Sequence, residues 1–194
     1  MKNIVLVLSV SILLAACSGG GKKVLVISSG NIEIGENTVT QGSGSSHNEK
    51  EISINGNSLK VVTAAGEKTM DVPDDGIYVL NLKNDTLVGS YQRTGTGYTP
   101  ERITQENLQE RLDSLIQLMR GSNVNTENRN YNLAPGSLTK ISGNVQATII
   151  GPFKTVPGSF EAGKEYEIYK FYTANEMQEI ITKLQGMVSD PEAE

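Results

Sequence analysis

The stretch IYVLNL, residues 77–82, decides the fold class that this sequence predicts. Turn-forming residues flank it on both sides, at 74–76 and again at 83–85. Alternate apolar side chains of the run share one face, as they do in a β-strand. Because the flanking connections are too short to contain a crossover helix, the strand is expected to have antiparallel neighbours.

Short strand patterns continue on both sides of this run. Upstream, VLVIS at 24–28 is typical of a short buried strand, and residues 31–40 predict two strands around Gly35-Glu36-Asn37. The pair Asn55-Gly56 lies between two alternating runs and predicts a hairpin, and a further turn is expected at Ala65-Gly66. The first half of the chain therefore predicts a β-meander.

Two amphipathic helices are predicted in the second half of the chain. Thr99-Pro100 and Thr104 both offer starts for the first helix, and Gly121 is its natural end. Its apolar stripe consists of Leu108, Leu112, Leu115, Ile116 and Met119. Thr173 and Glu176 form a capping box for the second helix. Its inward-facing residues are expected to be Met177, Ile180, Ile181 and Leu184.

The predicted fold is α+β, with two amphipathic helices packed on one antiparallel β-meander sheet. A further hairpin is expected across Ser142-Gly143-Asn144. A single domain should cover residues 23–188, β-rich over 23–97 and mixed over 98–188, and residues 189–194 should form a disordered tail. With 194 residues, the chain is long enough to bury a substantial core.

The amino terminus carries the features of an export signal. Lys2 supplies a positive charge, and residues 4–16 form an apolar run that is too short for an ordinary membrane helix. Leu14-Ala15-Ala16-Cys17, at the end of this run, resembles the lipobox of bacterial lipoproteins. Cys17 is also the only cysteine of the chain, so an intrachain disulfide is impossible.

The lipobox resemblance implies how the chain is processed and where it resides. In that family a diacylglycerol is attached to the cysteine thiol, and a peptidase removes the preceding residues, here 1–16. Residues 17–22 would then form the acylated cysteine and a flexible tether, and two or three acyl chains, palmitate among them, would hold the protein at a membrane. Ser18 is not the aspartate that retains enterobacterial lipoproteins in the inner membrane, so the resemblance favours the outer membrane. The resemblance ends at Cys17, and no family is recognised for the rest of the chain.

Composition and charge limit the classes of function. With a formal net charge of −5, the chain lacks the excess of basic residues that is typical of a nucleic-acid-binding protein. His47 is the only histidine and is expected in a polar loop, which excludes metal sites that need two or three histidines. Acylation of Cys17 would leave no thiol nucleophile in the rest of the chain. No cofactor is therefore predicted.

Four aromatic residues are concentrated near one predicted strand: Tyr166, Tyr169, Phe171 and Tyr172. Alternation sends Tyr166 and Tyr172 to one face of the strand, and Tyr169 with Phe171 to the other. Such a two-sided strand could present a sugar-stacking or protein-contact surface. It could equally be a central strand covered by a helix on one side, and burial in the core is the favoured interpretation.

Two hypotheses of function remain open. The first is a non-enzymatic binding or assembly module, anchored in the cell envelope, with an envelope protein or a glycan as its partner. The second is an envelope hydrolase that uses a pair of carboxylates, because paired acids need neither histidine nor cysteine. The S-x-x-K match at 137–140 does not favour catalysis, since it lies in a predicted hairpin rather than at a helix start. An enzyme is therefore the less favoured hypothesis.

Overall fold

The computed structural model describes residues 21–93, 104–125, 127–158, 161 and 166–189. Within these residues the chain forms strands in three four-stranded sheets and two helices. In chain order the elements are β1 (Lys22–Ser29), β2 (Ile32–Gly35), β3 (Thr38–Gln41), β4 (His47–Ser53), β5 (Ser58–Thr63), β6 (Gly66–Asp71), β7 (Gly76–Leu82), β8 (Leu87–Gln92), α1 (Gln105–Met119), β9 (Asn130–Leu133), β10 (Leu138–Ser142), β11 (Thr148–Ile150), β12 (Ile168–Thr173) and α2 (Ala174–Ser189).

β7, which contains the IYVLNL stretch, lies inside a central sheet of strand order β10-β7-β1-β4. Every residue of β7 is buried. β7 pairs with β1 in parallel and with β10 antiparallel, and β4 runs antiparallel along the other side of β1. Tyr78, Leu80 and Leu82 share one face, as predicted, and point into one core, whereas Ile77 and Val79 point into another. The central sheet is therefore covered on both faces.

The buried side chains divide into three cores, which separate four layers. The first core lies between the central sheet and a first outer sheet of order β2-β3-β5-β6. The second core lies between the central sheet and a second outer sheet of order β11-β12-β8-β9. The third core lies between the second outer sheet and the two helices. The domain is therefore a stack of three sheets with one helical layer.

One of the two predicted starts of α1, its predicted end and the predicted start of α2 are confirmed by the structure. Thr104 is the N-cap of α1, and Gly121, with a φ of +69°, follows its last turn. The Thr173 N–H donates to Glu176 Oε2 at 2.8 Å, and the Glu176 N–H donates to Thr173 Oγ1 at 3.1 Å. This reciprocal pair is the predicted capping box of α2. The alternative helix start at Thr99-Pro100 lies outside the described residues.

The apolar stripes of both helices pack on the second outer sheet. Leu108 and Leu112 of α1, and Met177 and Ile181 of α2, are buried. Partly buried members of the same stripes contact the third core, namely Leu115, Ile116, Met119 and Leu184. Leu118 is also buried, although the predicted stripe omits it, because α1 contacts β9 as well as α2.

The predicted antiparallel meander is correct only in part. β1 with β7, β3 with β5, and β11 with β12 are parallel pairs, so each of the three sheets is mixed. Two hairpins form as predicted, since β2 pairs with β3 around residues 35–37 and β5 pairs with β6 across Ala65-Gly66. The coarser prediction, a β-rich fold with two helices, is confirmed.

Two of the predicted hairpins are instead crossings between sheets. β4 and β5, which flank Asn55-Gly56, belong to the central and the first outer sheet. β10 and β11, which flank Ser142-Gly143-Asn144, belong to the central and the second outer sheet. In each case the apolar residues of the two strands meet across one core, so the turn connects two walls of a sandwich.

The first and last elements of the fold lie close to the ends of the predicted range 23–188. β1 starts at Lys22, which the sequence placed in the flexible tether. α2 ends at Ser189, the first residue of the predicted tail. Cys17, residues 1–16 and residues 190–194 lie outside the described residues. Neither of the helices in the described part of the chain is long and apolar enough to cross a membrane.

Candidate functional site

A cleft of about 620 Å³ opens between the two helices and the second outer sheet. Its apolar lining comes from both helices: Leu115 and Leu118 of α1, and Met177, Ile180 and Leu184 of α2. These side chains face inward from both helices. The cleft that they line together with residues of β8 and β12 is not filled by side chains. The volume falls within the range of about 300–1,000 Å³ that is usual for small-molecule sites.

Polar side chains also line the cleft, and together they are called its rim below. Ser90 and Gln92 of β8 lie on the sheet side, where Gln92 Nε2 donates to Ser90 Oγ at 3.1 Å. α1 contributes Glu110, Arg111 and Ser114. The rim therefore carries one acidic and one basic side chain together with uncharged hydrogen-bonding groups.

Tyr172 of β12 completes the wall, and a buried lysine lies behind its ring. Lys170 is 3% exposed, and its Nζ lies 4.3 Å from the centre of the Tyr172 ring. The ammonium donates to the carbonyls of Gly151 at 2.7 Å and Phe171 at 2.8 Å. Burial lowers the pKa of Lys170, whereas burial and the nearby Glu176 carboxylate raise the pKa of Tyr172. The phenol therefore stays protonated at neutral pH and can donate a hydrogen bond.

The structure separates the four aromatic residues that the sequence brought together. Tyr169 and Phe171 are buried in the second core, where their rings contact Tyr131. The favoured interpretation, burial in the core, is correct for these two, and they offer no contact surface. Tyr172 lies on the other face and lines the cleft. Tyr166 is half-buried and precedes the strand.

Glu167 lies beside Tyr169 in a network that joins β12 to the β10–β11 connection. Glu167 Oε1 accepts hydrogen bonds from Ser142 Oγ at 2.9 Å and Tyr169 Oη at 2.6 Å. Glu167 Oε2 accepts one from Asn144 Nδ2 at 3.0 Å, and Arg129 Nη2 lies 3.7 Å from Oε1. Burial by itself raises the pKa of Glu167, but these hydrogen bonds outweigh it and hold the pKa below its ordinary value. A carboxylate with this many partners acts as a structural cross-link.

The sequence predicts that His47 lies in a polar loop. In the structure it is instead the first residue of β4, which is an edge strand of the central sheet. Its Nε2 lies 2.8 Å from Glu49 Oε1, and its Nδ1 lies 3.4 Å from Lys83 Nζ. None of these three residues lines the cleft. They form a separate charged cluster, at an edge of the central sheet.

Neither a metal site nor a known family accounts for these arrangements. In the part of the chain that the structure describes, no group of three or more His, Cys, Asp or Glu side chains could hold a metal ion. Comparison with known protein families, curated proteins and solved structures finds no match to this chain. The function must therefore be argued from the geometry of the cleft and of the charged cluster.

The sequence predicts some of the residues that line the cleft, but not that they form a cleft. The sequence predicts that Ile180 and Leu184 face inward, and it offers Tyr172 as a possible contact residue. It does not predict that residues of β8 and α1 lie beside them. Ser90, Gln92 and Ser114 carry no local signal that would mark them as lining residues. Only the packing of α1 beside α2 brings these positions together.

Proposed function

We propose that the protein is a lipid-anchored lipoprotein of the bacterial cell envelope and acts as a non-enzymatic binding module. The observation that carries the binding role is the cleft between α1, α2 and the second outer sheet. Its occupant would be an elongated amphipathic small molecule. The apolar part would contact Leu115, Ile180 and Leu184, and an uncharged polar head would hydrogen-bond to the side chains at the rim.

The charges at the rim support an uncharged head group. Glu110 and Arg111 bring opposite charges to the same rim, so a strongly anionic or cationic ligand gains little there. Uncharged donors and acceptors at Ser90, Gln92 and Ser114 suit hydroxyl or amide groups instead. The cleft thus resembles the usual small-ligand site, an apolar lining with a few polar groups.

The alternative function, a hydrolase with a carboxylate pair, has no observation in its favour. Glu176 accepts hydrogen bonds from two backbone N–H groups, those of Thr173 and Phe153. Glu49 is bound by His47 and Lys154. Both carboxylates act on Lys170, but each is already engaged by its own partners. Neither lines the cleft.

Anchoring at Cys17 is proposed on the lipobox resemblance alone. β1 begins at Lys22, whose Nζ donates to the Gly56 carbonyl at 2.9 Å. A chain segment spans at most about 3.3–3.6 Å per residue, so the folded domain would lie close to the membrane surface. The outer membrane is the proposed location, on the evidence of Ser18.

Photocrosslinking in living cells tests the cleft. Ile180 would be replaced by a photoreactive p-benzoylphenylalanine in the anchored full-length chain, and the mass of the purified protein would be measured after irradiation. We expect a small-molecule adduct at this position. Gln178 is exposed on the same helix and provides the matched control, which should give no adduct. Adding Ser114→Arg, which narrows the cleft, should reduce the yield, whereas Gln117→Arg should not.

The outcomes of this experiment separate the two kinds of binding module. An adduct with another envelope protein at position 180 would replace the small-molecule proposal with an assembly role. Equal adduct yields at 178 and 180, or no adduct at either, would refute the cleft as the binding site.

Metabolic labelling with a fatty-acid analogue tests the anchor. Wild-type protein should incorporate the label, and Cys17→Ala should not. A mutant that is still labelled would refute the lipobox interpretation.

A further inference from the structure

A charged and aromatic cluster lies away from the cleft, where the chain leaves β11. Gly151, the residue after β11, packs directly on Glu49 of β4, and a Cβ atom at Gly151 would lie 1.8 Å from Glu49 Oε1. Only glycine fits this position without displacing the carboxylate. The contact brings the segment after β11 onto the edge of the central sheet and places Phe153 and Lys154 beside β4.

Phe153 is exposed and has an unusual backbone conformation. The residue is 63% exposed, and its φ is +62°, which aromatic residues rarely adopt. The Phe153 N–H donates to Glu176 Oε1 at 2.9 Å, which fixes this conformation against the start of α2. Residues held in sparsely populated backbone conformations cluster at active sites and ligand-binding sites.

A histidine and a lysine lie beside the Phe153 ring. The His47 ring contacts it edge-on, with ring centres 5.2 Å apart, and Lys83 Nζ lies 5.6 Å from its centre. Lys154 Nζ forms an ion pair with Glu49 and is itself more than half exposed. The aromatic ring is therefore exposed, lies 5.6 Å from the Lys83 ammonium and is followed along the chain by Lys154.

The cluster has an excess of positive charge. The His47 imidazole lies between a lysine and a carboxylate, with its Nδ1 3.4 Å from Lys83 Nζ and its Nε2 2.8 Å from Glu49 Oε1. Three ammonium groups, those of Lys83, Lys154 and the buried Lys170, lie near two carboxylates, those of Glu49 and Glu176, which leaves one positive charge in excess. Among the described acidic side chains none forms an ion pair with Lys83, although Lys83 is 8% exposed. This local excess contrasts with the chain's net charge of −5.

We propose that Phe153, Lys154 and Lys83 form a binding site for an acidic glycan, a polysaccharide whose sugars carry carboxylate groups. The apolar face of a sugar ring would stack on the exposed Phe153 ring. Its carboxylate would take the Lys154 ammonium as its direct partner, and the field of Lys83 would add to the attraction. The site is separate from the cleft and does not depend on the role proposed for it.

Calorimetric titration of the full-length chain in zwitterionic detergent tests this site. The probes are oligogalacturonate and the same oligosaccharide with all carboxylates methyl-esterified. We expect saturable binding of the acid, weakened by salt, and no binding of the neutral ester. Phe153→Gly and Lys154→Ala should each weaken binding at least tenfold. The cleft variant Ser114→Arg should bind like the wild type.

A tryptophan reporter checks the same contact independently. The chain contains no tryptophan, so Phe153→Trp introduces the only indole and keeps an aromatic platform. Its emission should change with oligogalacturonate, whereas Met187→Trp, at an exposed position of α2, should not respond.

Three results would overturn the proposal. These are equal binding of the acid and its methyl ester, wild-type affinity in Phe153→Gly, and absence of saturable binding by the wild type. Binding to vesicles that contain phosphatidylglycerol, without binding of the uronate, would likewise assign the cluster to lipid head groups instead.

Discussion

The backbone of Phe153 leads to a stability prediction that reverses the usual order of alanine and glycine. A left-handed conformation costs a non-glycine residue about 1–2 kcal/mol, and Phe153 has a φ of +62°. Glycine does not have this cost, but it loses about 0.5–1 kcal/mol more chain entropy on folding than alanine. Phe153→Gly should therefore be more stable than Phe153→Ala by about 0.75 kcal/mol, the difference between the midpoints of these two costs.

Both substitutions remove the same aromatic ring, so the lost ring contacts cancel in the comparison. Lys154 is the matched control, because it is the next residue and its φ is not positive. There the order should be the ordinary one, with Lys154→Ala more stable than Lys154→Gly by about 0.5–1 kcal/mol. Both lysine variants lose the ion pair with Glu49, so that contact cancels as well.

Urea unfolding, followed by far-ultraviolet circular dichroism, measures the four free energies of unfolding. For a domain of this size, about 1 kcal/mol corresponds to a difference of roughly 2–4 °C in Tm, so thermal melts provide a second measurement. If alanine is as stable as glycine at position 153, the strain argument is wrong. If position 154 shows the same order as position 153, the effect does not come from φ.

Three further substitutions test the packing and the electrostatics. Gly89→Ala should destabilise the fold by about 1–3 kcal/mol, because a Cβ would lie 2.4 Å from the ring of Phe171, whereas Gly143→Ala, with open space around it, should be nearly neutral in the same urea titration. Asn81→Leu should cost at least about 2 kcal/mol, since the fully buried Asn81 amide bonds two backbone carbonyls and one N–H, and a smaller loss in thermal melts would contradict this role. Hydrogen bonds outweigh burial and lower the pKa of Glu167 from 4.5, so the native state binds fewer protons than the unfolded state. The stability that this carboxylate contributes is therefore complete above about pH 4.5. It is lost as the pH falls through the native pKa. Glu167→Gln should therefore show a shallower acid-side loss of unfolding free energy than the wild type, and identical slopes would refute the argument.

Local features of the fold are well predicted from the sequence because they depend on neighbouring residues. Helix caps such as Thr104 and Thr173 act within one turn of the chain. The turn at Asn55-Gly56 also exists, and Gly56 has the positive φ expected there. Pairing depends instead on which strands meet across a core, and turn chemistry does not encode that choice. This is why the strands beside Asn55-Gly56 belong to different sheets.

The two candidate sites were harder to predict because each joins distant parts of the chain. His47 and Lys83 precede α1, whereas Phe153 follows β11, and no spacing rule connects them. The sequence of β7 carries one signal of a layer on each side of the central sheet. Ile77 and Val79 on one face are apolar, as are Tyr78 and Leu80 on the other. A strand that is apolar on both faces indicates that another layer packs on each side of its sheet. Contacts between these layers bring together residues that are far apart in the sequence.

The strand order of the central sheet has a consequence for the time at which the chain can fold. β1 is the first element of the domain, yet its parallel partner β7 begins at Gly76, and β7 itself needs β10, which ends at Ser142. A chain that emerges from its amino terminus cannot complete this layer until most of the domain has been synthesised. Such non-local pairing slows folding. A chain exported as proposed would therefore lack its central layer during synthesis, and it could complete that layer only after most of the chain had crossed the membrane.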